Sequence, residues 1–294
     1  MIPSSAIKQR FNTAMPENIS PVQITADGLI VLRADAALMR DVGAQDPYAQ
    51  WFVTEEGQRM ASLALATDPV FAVFNLARYR WFSERLAKAA ETFSQVVILG
   101  SGYDTRPLWM PPFNSGQCKV FTVDVTTTLS VRDDVLRSHG VTPPPWIVPV
   151  SCDLNSGNLR GALELKGFRP ERPSFIMAEG LFYYLSVPTL MNLLTPVGIG
   201  LAPGSIFQFD FWADARVNRL NDQVFERRGI RMFKSFPLPQ QKHELAAALK
   251  GLGYDRAEVT SLNEVARDYW PSSYRWPDES DWYLVAMSLG RNLL

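Results

Sequence analysis

Histidine and cysteine are almost missing from this chain, with two of each among 294 residues. Cys118, Cys152, His139 and His243 stand too far apart in sequence for the usual zinc-ligand spacings, so no metal site is expected. Two cysteines make no disulfide framework either, and they read as buried thiols of a reducing compartment. Excess charge is also lacking. The formal net charge is -1, with both signs mixed along the chain, so no basic face invites nucleic acid. No apolar run reaches the ~20 residues that a membrane-crossing helix needs. The opening MIPSSAIKQRFNTAMPENISPV lacks the apolar centre of a secretion leader. The expected setting is the cytoplasm, with neither membrane nor nucleic acid as a partner and the oligomeric state left open.

What is present is enough apolar material for one large core: 47% of the residues are hydrophobic and 20% charged. Helical patterns are expected at 23–42, 55–66 and 69–91. Short apolar runs then alternate with helices. Strands are expected at 95–100, 119–125, 146–150, 174–178 and 205–211, with a final pair near 255–260 and 281–288. The intervening helices pass through Val131 and Leu136, through GNLRGALELKG, through 187–201, and through QKHELAAALKGLGY. This alternation predicts an open α/β sheet covered on both faces. Residues 213–236 break the pattern and, with the N-terminal helices, are expected to form a helical cap. The chain thus divides into an arm at 1–22 and one domain at 23–294, with cap segments near 23–75 and 213–245.

The stretch VVILGSGYDTR, residues 96–106, carries the strongest chemical signal. A β-branched strand ends in a Gly-x-Gly turn, where backbone can approach a ligand. Gly100 and Gly102 fill the first two positions of a dinucleotide fingerprint, but Thr105 replaces the third glycine. Asp104 beside the turn would repel a pyrophosphate and favour a ligand carrying an amino group or a sulfonium. S-adenosyl-L-methionine therefore fits this turn better than a dinucleotide does. Two more acids, Asp124 and Asp153, follow the second and third strands. An acid about 20 residues beyond the turn accepts from ribose hydroxyls, which suits Asp124. Asp153 can accept from the adenine amine while Leu154 packs on the ring.

VVILGSGYDTRPLW resembles the "LGAGLDTR" signature of the leucine carboxyl methyltransferase family. QDPYAQWFV is similar to that family's "DPYA" segment, LARYRWFSERL to its "RTRFFDDAL" helix, and AEGLFYYLS to "AEGLLMYLP". FTVDV and VSCDLN resemble its second and third strand motifs, and the likeness runs over about residues 25–190. The resemblance implies a doubly wound, mixed seven-stranded sheet of the class I methyltransferase kind with a helical cap. It also implies methyl transfer from S-adenosyl-L-methionine to a carboxylate oxygen of a small organic acid or natural product.

Carried across by motif, Arg78 would clamp the methionine carboxylate of the cofactor, and Gly100, Gly102 and Asp104 would border its methionine part. Asp124 would hold the ribose, and Asp153 with Leu154 the adenine. Glu179 would lie where sulfonium and nucleophile meet, as a cofactor contact or catalytic carboxylate, and Tyr184 would orient a substrate oxygen. Tyr183 stands where the family has an aliphatic residue and is a second substrate candidate. Arg33, Arg227, Arg228 and Arg231 are candidate seats for an acceptor carboxylate. The family's "RAxE" pattern departs here to Arg33-Ala34-Asp35-Ala36, and Trp270, Trp276 and Trp282 are expected near the acceptor. Histidine scarcity favours an acceptor that needs no base. A phenol, enol or carbon acceptor, a non-catalytic cofactor-binding regulator and a nicotinamide oxidoreductase are the competing readings.

Overall fold

Gln95–Leu99, five buried residues with the sequence QVVIL, form the central strand β1. The computed structural model describes residues 21–35, 46–67, 71–214, 216, 218, 236–269, 282–290 and 293–294. Six further strands complete the sheet: Lys119–Asp124 (β2), Ile147–Ser151 (β3), Phe175–Ala178 (β4), Ile206–Trp212 (β5), Arg256–Ser261 (β6) and Trp282–Ser288 (β7). Their order is β3-β2-β1-β4-β5-β7-β6. Strands β1 to β5 pair in parallel, while β7 runs antiparallel to both β5 and β6. This is the expected mixed seven-stranded sheet. The order reverses between β1 and β4, which opens a crevice beyond their carboxyl ends. Register aligns those ends, with Leu99 opposite both Val123 and Ala178, and Ala178 opposite Phe209.

The helices follow from apolar faces and local caps. Phe71–Thr92 (α3) leads into β1, and Thr126–Ser138 (α5) ends at His139. Arg106–Trp109 (α4) is a single turn, and Leu159–Leu165 (α6) is capped by Asn158, whose side chain accepts from the Gly161 N–H. The helix expected over 187–201 is two pieces, Val187–Leu193 (α7) and Pro196–Ile199 (α8). Pro196 has no N–H to continue the first piece, and the Thr195 side chain caps the second by accepting from the Gly198 N–H. Lys242–Gly251 (α9) is as expected.

The final strand pair is joined by a helix that the sequence reading lacked, Leu262–Tyr269 (α10). Ser261 and Glu264 form a reciprocal cap there: the Glu264 N–H donates to Ser261 Oγ (3.2 Å) and the Ser261 N–H to Glu264 Oε2 (2.9 Å). Among the described residues no helix is long and apolar enough to cross a membrane.

Pro21–Ala34 (α1) and Glu55–Thr67 (α2) pack together at the N-terminal side. A Cβ at Gly57 would stand 2.6 Å from the Asp27 carbonyl oxygen, so this contact requires glycine. Thr54 accepts from the Gly57 N–H (2.9 Å) and donates to Asp27 Oδ2 (3.2 Å), joining the two helices. Burial drives the Asp27 carboxyl from 3.8 up to about 6, against hydrogen bonds from Thr54 and Tyr103. The folded chain holds that proton more tightly than the unfolded one, so stability falls as pH rises between these two values. Asp27→Asn keeps an acceptor for Thr54 and is expected to stabilise the chain at neutral pH by ~2 kcal/mol. Thermal melts between about pH 4 and pH 7 should show the variant's advantage growing with pH.

Residues 1–20 of the arm expected at 1–22 and most of the second cap segment lie outside the described residues, as do Arg227, Arg228, Arg231, Trp270 and Trp276, while residues 21 and 22 begin α1.

Candidate active site

Strand β1 ends where Gly100-Ser101-Gly102 turns the chain across the carboxyl edge of the sheet. Both glycines have positive φ, +60 and +48. A Cβ at Gly100 would come within 2.7 Å of the movable Leu181 Cδ1, and the positive φ is what favours glycine here. The Ser101 N–H donates to the Val123 carbonyl (2.9 Å) and the Gly102 N–H to Asp124 Oδ2 (2.8 Å), tying the turn to β2. The other Asp124 oxygen accepts from the Val125 N–H (2.8 Å). A side-chain hydrogen bond from Thr128 also reaches this carboxylate, which retains acceptor capacity beyond these three donors. On the far side, Asp153 follows β3, accepting from the Asn155 N–H (2.9 Å) and the Ser156 hydroxyl (2.8 Å).

These residues border a cavity of about 270 Å³ at the crevice. Arg33, Arg78, Gly100, Gly102, Asp104, Asp124, Asp153, Leu154, Glu179 and Tyr184 all line it. Sequence reasoning thus named residues that the fold brings together from helices α1 and α3 and from the ends of four strands.

Tyr183 is the correction. It does not line the cavity: its hydroxyl donates to Asp210 Oδ2 (2.6 Å) and its ring stacks on Trp212 at 4.3 Å. Trp282, expected near the acceptor, is likewise buried in β7 with its Nε1–H donating to Asp210 (2.9 Å). Trp51 and Phe52 stack on His139 (4.3 Å) and Tyr103 (5.0 Å). Arg80, two residues beyond Arg78, pairs instead with Glu84 at 2.8 Å.

An ionic cluster closes one side of the cavity. Arg106, only 2% exposed, grips Asp104 through Nε (2.9 Å) and Nη2 (2.6 Å) and reaches Glu179 Oε2 with Nη2 (2.7 Å). Arg78 holds the other Glu179 oxygen through Nε (3.2 Å) and Asp210 Oδ2 through Nη1 (3.2 Å). Asp104 is therefore not an unpaired carboxylate beside the turn, as expected from the sequence, because Arg106 two residues on neutralises it. Arg33 lies over the Tyr79 ring at 5.2 Å and, among the described residues, makes no ion pair.

Burial alone would raise the Glu179 carboxyl, but Arg106, and Arg78 after it, hold it below the ordinary carboxylate range. The Asp104 carboxyl is likewise lowered, burial being outweighed by Arg106. Burial pushes Asp124 the other way, upward, against the N–H donors of Gly102 and Val125.

Arg106 and Asp210 were not assigned from sequence. Arg106 stood inside the quoted motif, and an acid within the apolar run SIFQFDF was the available signal for Asp210.

The donor set matches S-adenosyl-L-methionine. Ser101 in the turn is buried and its Oγ has no hydrogen-bond partner among the described residues. Asp124 can accept from ribose hydroxyls, Leu154 and Val125 offer apolar surface to a ring, and Arg78 has unused donors for a carboxylate.

Fold and crevice together define a class I S-adenosyl-L-methionine-dependent methyltransferase. A family model for leucine carboxyl methyltransferase matches residues 29–198, and the chain belongs to that family. A Rhodococcus jostii protein named "Putative S-adenosyl-L-methionine-dependent methyltransferase" is 33% identical over 202 residues, covering 67% of this chain and 68% of its own. A Mycobacteroides abscessus protein of the same name is 30% identical over 269 residues, 82% of this chain and 84% of its own. Among solved structures, a Thermobifida fusca protein described as a "putative methyltransferase" superposes with a TM-score of 0.60 at 15% identity, covering 99% of both chains. A DUF574-family protein of Streptomyces avermitilis gives 0.59 at 13% identity, covering 90% and 96%. At these identities the structures speak for the fold alone.

Proposed function

We propose that this methyltransferase esterifies a carboxylate of a small organic acid, as a cytoplasmic enzyme of natural-product metabolism. The observation that carries the reading is Glu179 held between Arg78 and Arg106. Its Oε1 accepts from Arg78 (3.2 Å) and its Oε2 from Arg106 (2.7 Å), and the arginines keep it ionised and weakly basic. A phenol, with an ordinary pKa of ~10, would need a base that Glu179 is poorly placed to be. A carboxylate, ordinarily near ~4, arrives already ionised and needs only alignment and partial desolvation.

The bound cofactor supplies an electrophilic methyl group on a sulfonium. The chain's own residues do the rest. Asp124 and Asp153 orient the adenosine end, while Arg78 and Glu179 orient the amino-acid end. Tyr184, half-buried in the cavity lining, is suited to hold one acceptor oxygen. Arg33, which also lines the cavity and is not committed to an ion pair among the described residues, is the seat for the acceptor's charge.

The test is a panel of small carboxylic acids incubated with enzyme and methyl-labelled donor, followed by mild alkali. A methyl ester releases labelled methanol, and acids blocked as amides should take no label. Label that resists alkali would move the acceptor to a phenol, enol or carbon.

A further inference from the structure

Asp210 is fully buried on β5, and four donors from three parts of the fold converge on it: the helix before β1, the connection after β4, and β7. Its Oδ1 accepts from the Gly180 N–H at 2.6 Å. Its Oδ2 accepts from the Tyr183 hydroxyl (2.6 Å), Trp282 Nε1 (2.9 Å) and Arg78 Nη1 (3.2 Å). Tyr183 and Trp282 lie outside the cavity lining, whereas Arg78 and Gly180 are part of it. The carboxylate is therefore held by two neutral donors outside the lining and by two groups of the lining, Arg78 and Gly180. The Arg78 guanidinium also lies over the Trp282 ring, 5.1 Å from its centroid, so one tryptophan braces both members of the pair.

A long arginine side chain otherwise carries several rotatable bonds, and fixing it against a ligand costs conformational entropy. Glu179 alone would not hold it well, because that carboxylate is shared with Arg106. With Nε on Glu179 and Nη1 on Asp210, the guanidinium plane is set, and Nη2 makes no hydrogen bond among the described residues.

We propose that Asp210 is the positioning residue of the methyl-donor site: through Arg78 and the Gly180 peptide it presets the guanidinium that receives the cofactor's carboxylate. The proposal rests on the clamp role of Arg78 and adds a residue that touches no ligand itself. It also gives Tyr183 and Trp282 a shared purpose, that of fixing the Asp210 carboxylate.

The test compares two probes by calorimetry on the full chain: S-adenosylhomocysteine, and its decarboxylated analogue, which keeps adenosine, sulfur and amine. Asp210→Asn should weaken S-adenosylhomocysteine about tenfold or more while leaving the analogue within about twofold, so that the preference for the carboxylate shrinks. Arg78→Ala should abolish the preference, and adding Asp210→Asn to it should change the preference no further. Equal weakening of both probes by Asp210→Asn would mean a general structural role and would overturn the proposal, as would no change in either. If Arg78→Ala keeps the preference, the clamp reading fails first and the proposal falls with it. Should Asp210→Asn not fold, Trp282→Phe and Tyr183→Phe carry the same comparison. Each removes one donor from Oδ2 and should reduce the preference by a smaller factor, and an unchanged preference in both would sink the idea.

Discussion

Arg106→Met is expected to cost the folded chain ~3–5 kcal/mol, the range for stripping one partner from a buried ion pair. Arg106 is 2% exposed and serves two buried carboxylates at once, Asp104 at 2.6 Å and Glu179 at 2.7 Å. It also lies over the Tyr79 ring at 4.9 Å, which methionine would cover only in part. Without the guanidinium, Asp104 loses its ion-pair partner and keeps only the charge of Arg33, while Glu179 keeps Arg78 and the charge of Arg33. Both carboxyls are now held below their ordinary range, so the stability they contribute is present above that range and lost as pH falls through it. In the variant burial is offset less fully, so both carboxyls rise and the stability they contribute at neutral pH shrinks. Denaturant unfolding should therefore show a large gap from the parent at neutral pH that narrows in mild acid. Arg106→Lys should recover only part of the loss, since one ammonium cannot copy the guanidinium fork. A deficit for Arg106→Met under ~1 kcal/mol at neutral pH would contradict the cluster's importance.

Asp124→Ala is expected to lower affinity for S-adenosylhomocysteine on the order of a hundredfold with a much smaller effect on stability. Two hydrogen bonds from ribose hydroxyls to a charged acceptor are together worth roughly 3 kcal/mol or more, which corresponds to about two decades in Kd. The alanine also frees the Gly102 and Val125 N–H groups, each 2.8 Å from an Asp124 oxygen, and so loosens the turn. Stability should suffer less, because burial raises this carboxyl and its charge is already unfavourable to the folded chain. Asp124→Asn, which keeps one acceptor oxygen, should lose about a tenth as much affinity. Calorimetry beside a thermal melt separates the two effects. Full affinity in the alanine variant would remove Asp124 from the ribose site.

Much of this architecture was legible along the chain because the strands are short, apolar and rich in β-branched residues. QVVIL and SIFQFDF are buried on both faces, so they read as continuous apolar runs between glycine-rich or charged stops. The helix at 262–269 escaped notice although Ser261 and Glu264 form a capping box, because its few apolar positions lie in a short, mostly polar stretch. The division at Pro196 was signalled by the proline itself and settled by the Thr195 cap.

Ligand-facing acids were legible for a related reason. An acid just after a buried parallel strand is carried to the crevice by the strand, whatever surrounds it. Side chains that meet across the fold were less so. Tyr183 and Tyr184 are neighbours in sequence, yet one turns back to Asp210 and the other lines the cavity. Trp282 looked like part of an acceptor wall until β7 paired with β5 and set it opposite Trp212.

The family resemblance pointed to the arginine on the preceding helix, whereas the pattern of the sequence itself determined the sheet, the Gly100-Ser101-Gly102 turn and the order of acids along the crevice. These follow from local periodicity and from the rule that parallel strands deliver their carboxyl ends to one edge. Only the tertiary structure decided which charges neutralise one another. Arg106 with Asp104 and Glu179, and Asp210 with Arg78, Tyr183 and Trp282, join residues up to 132 positions apart. Pairing of buried charges depends on distances of a few ångströms between elements, and those distances exist only once the strands are in register.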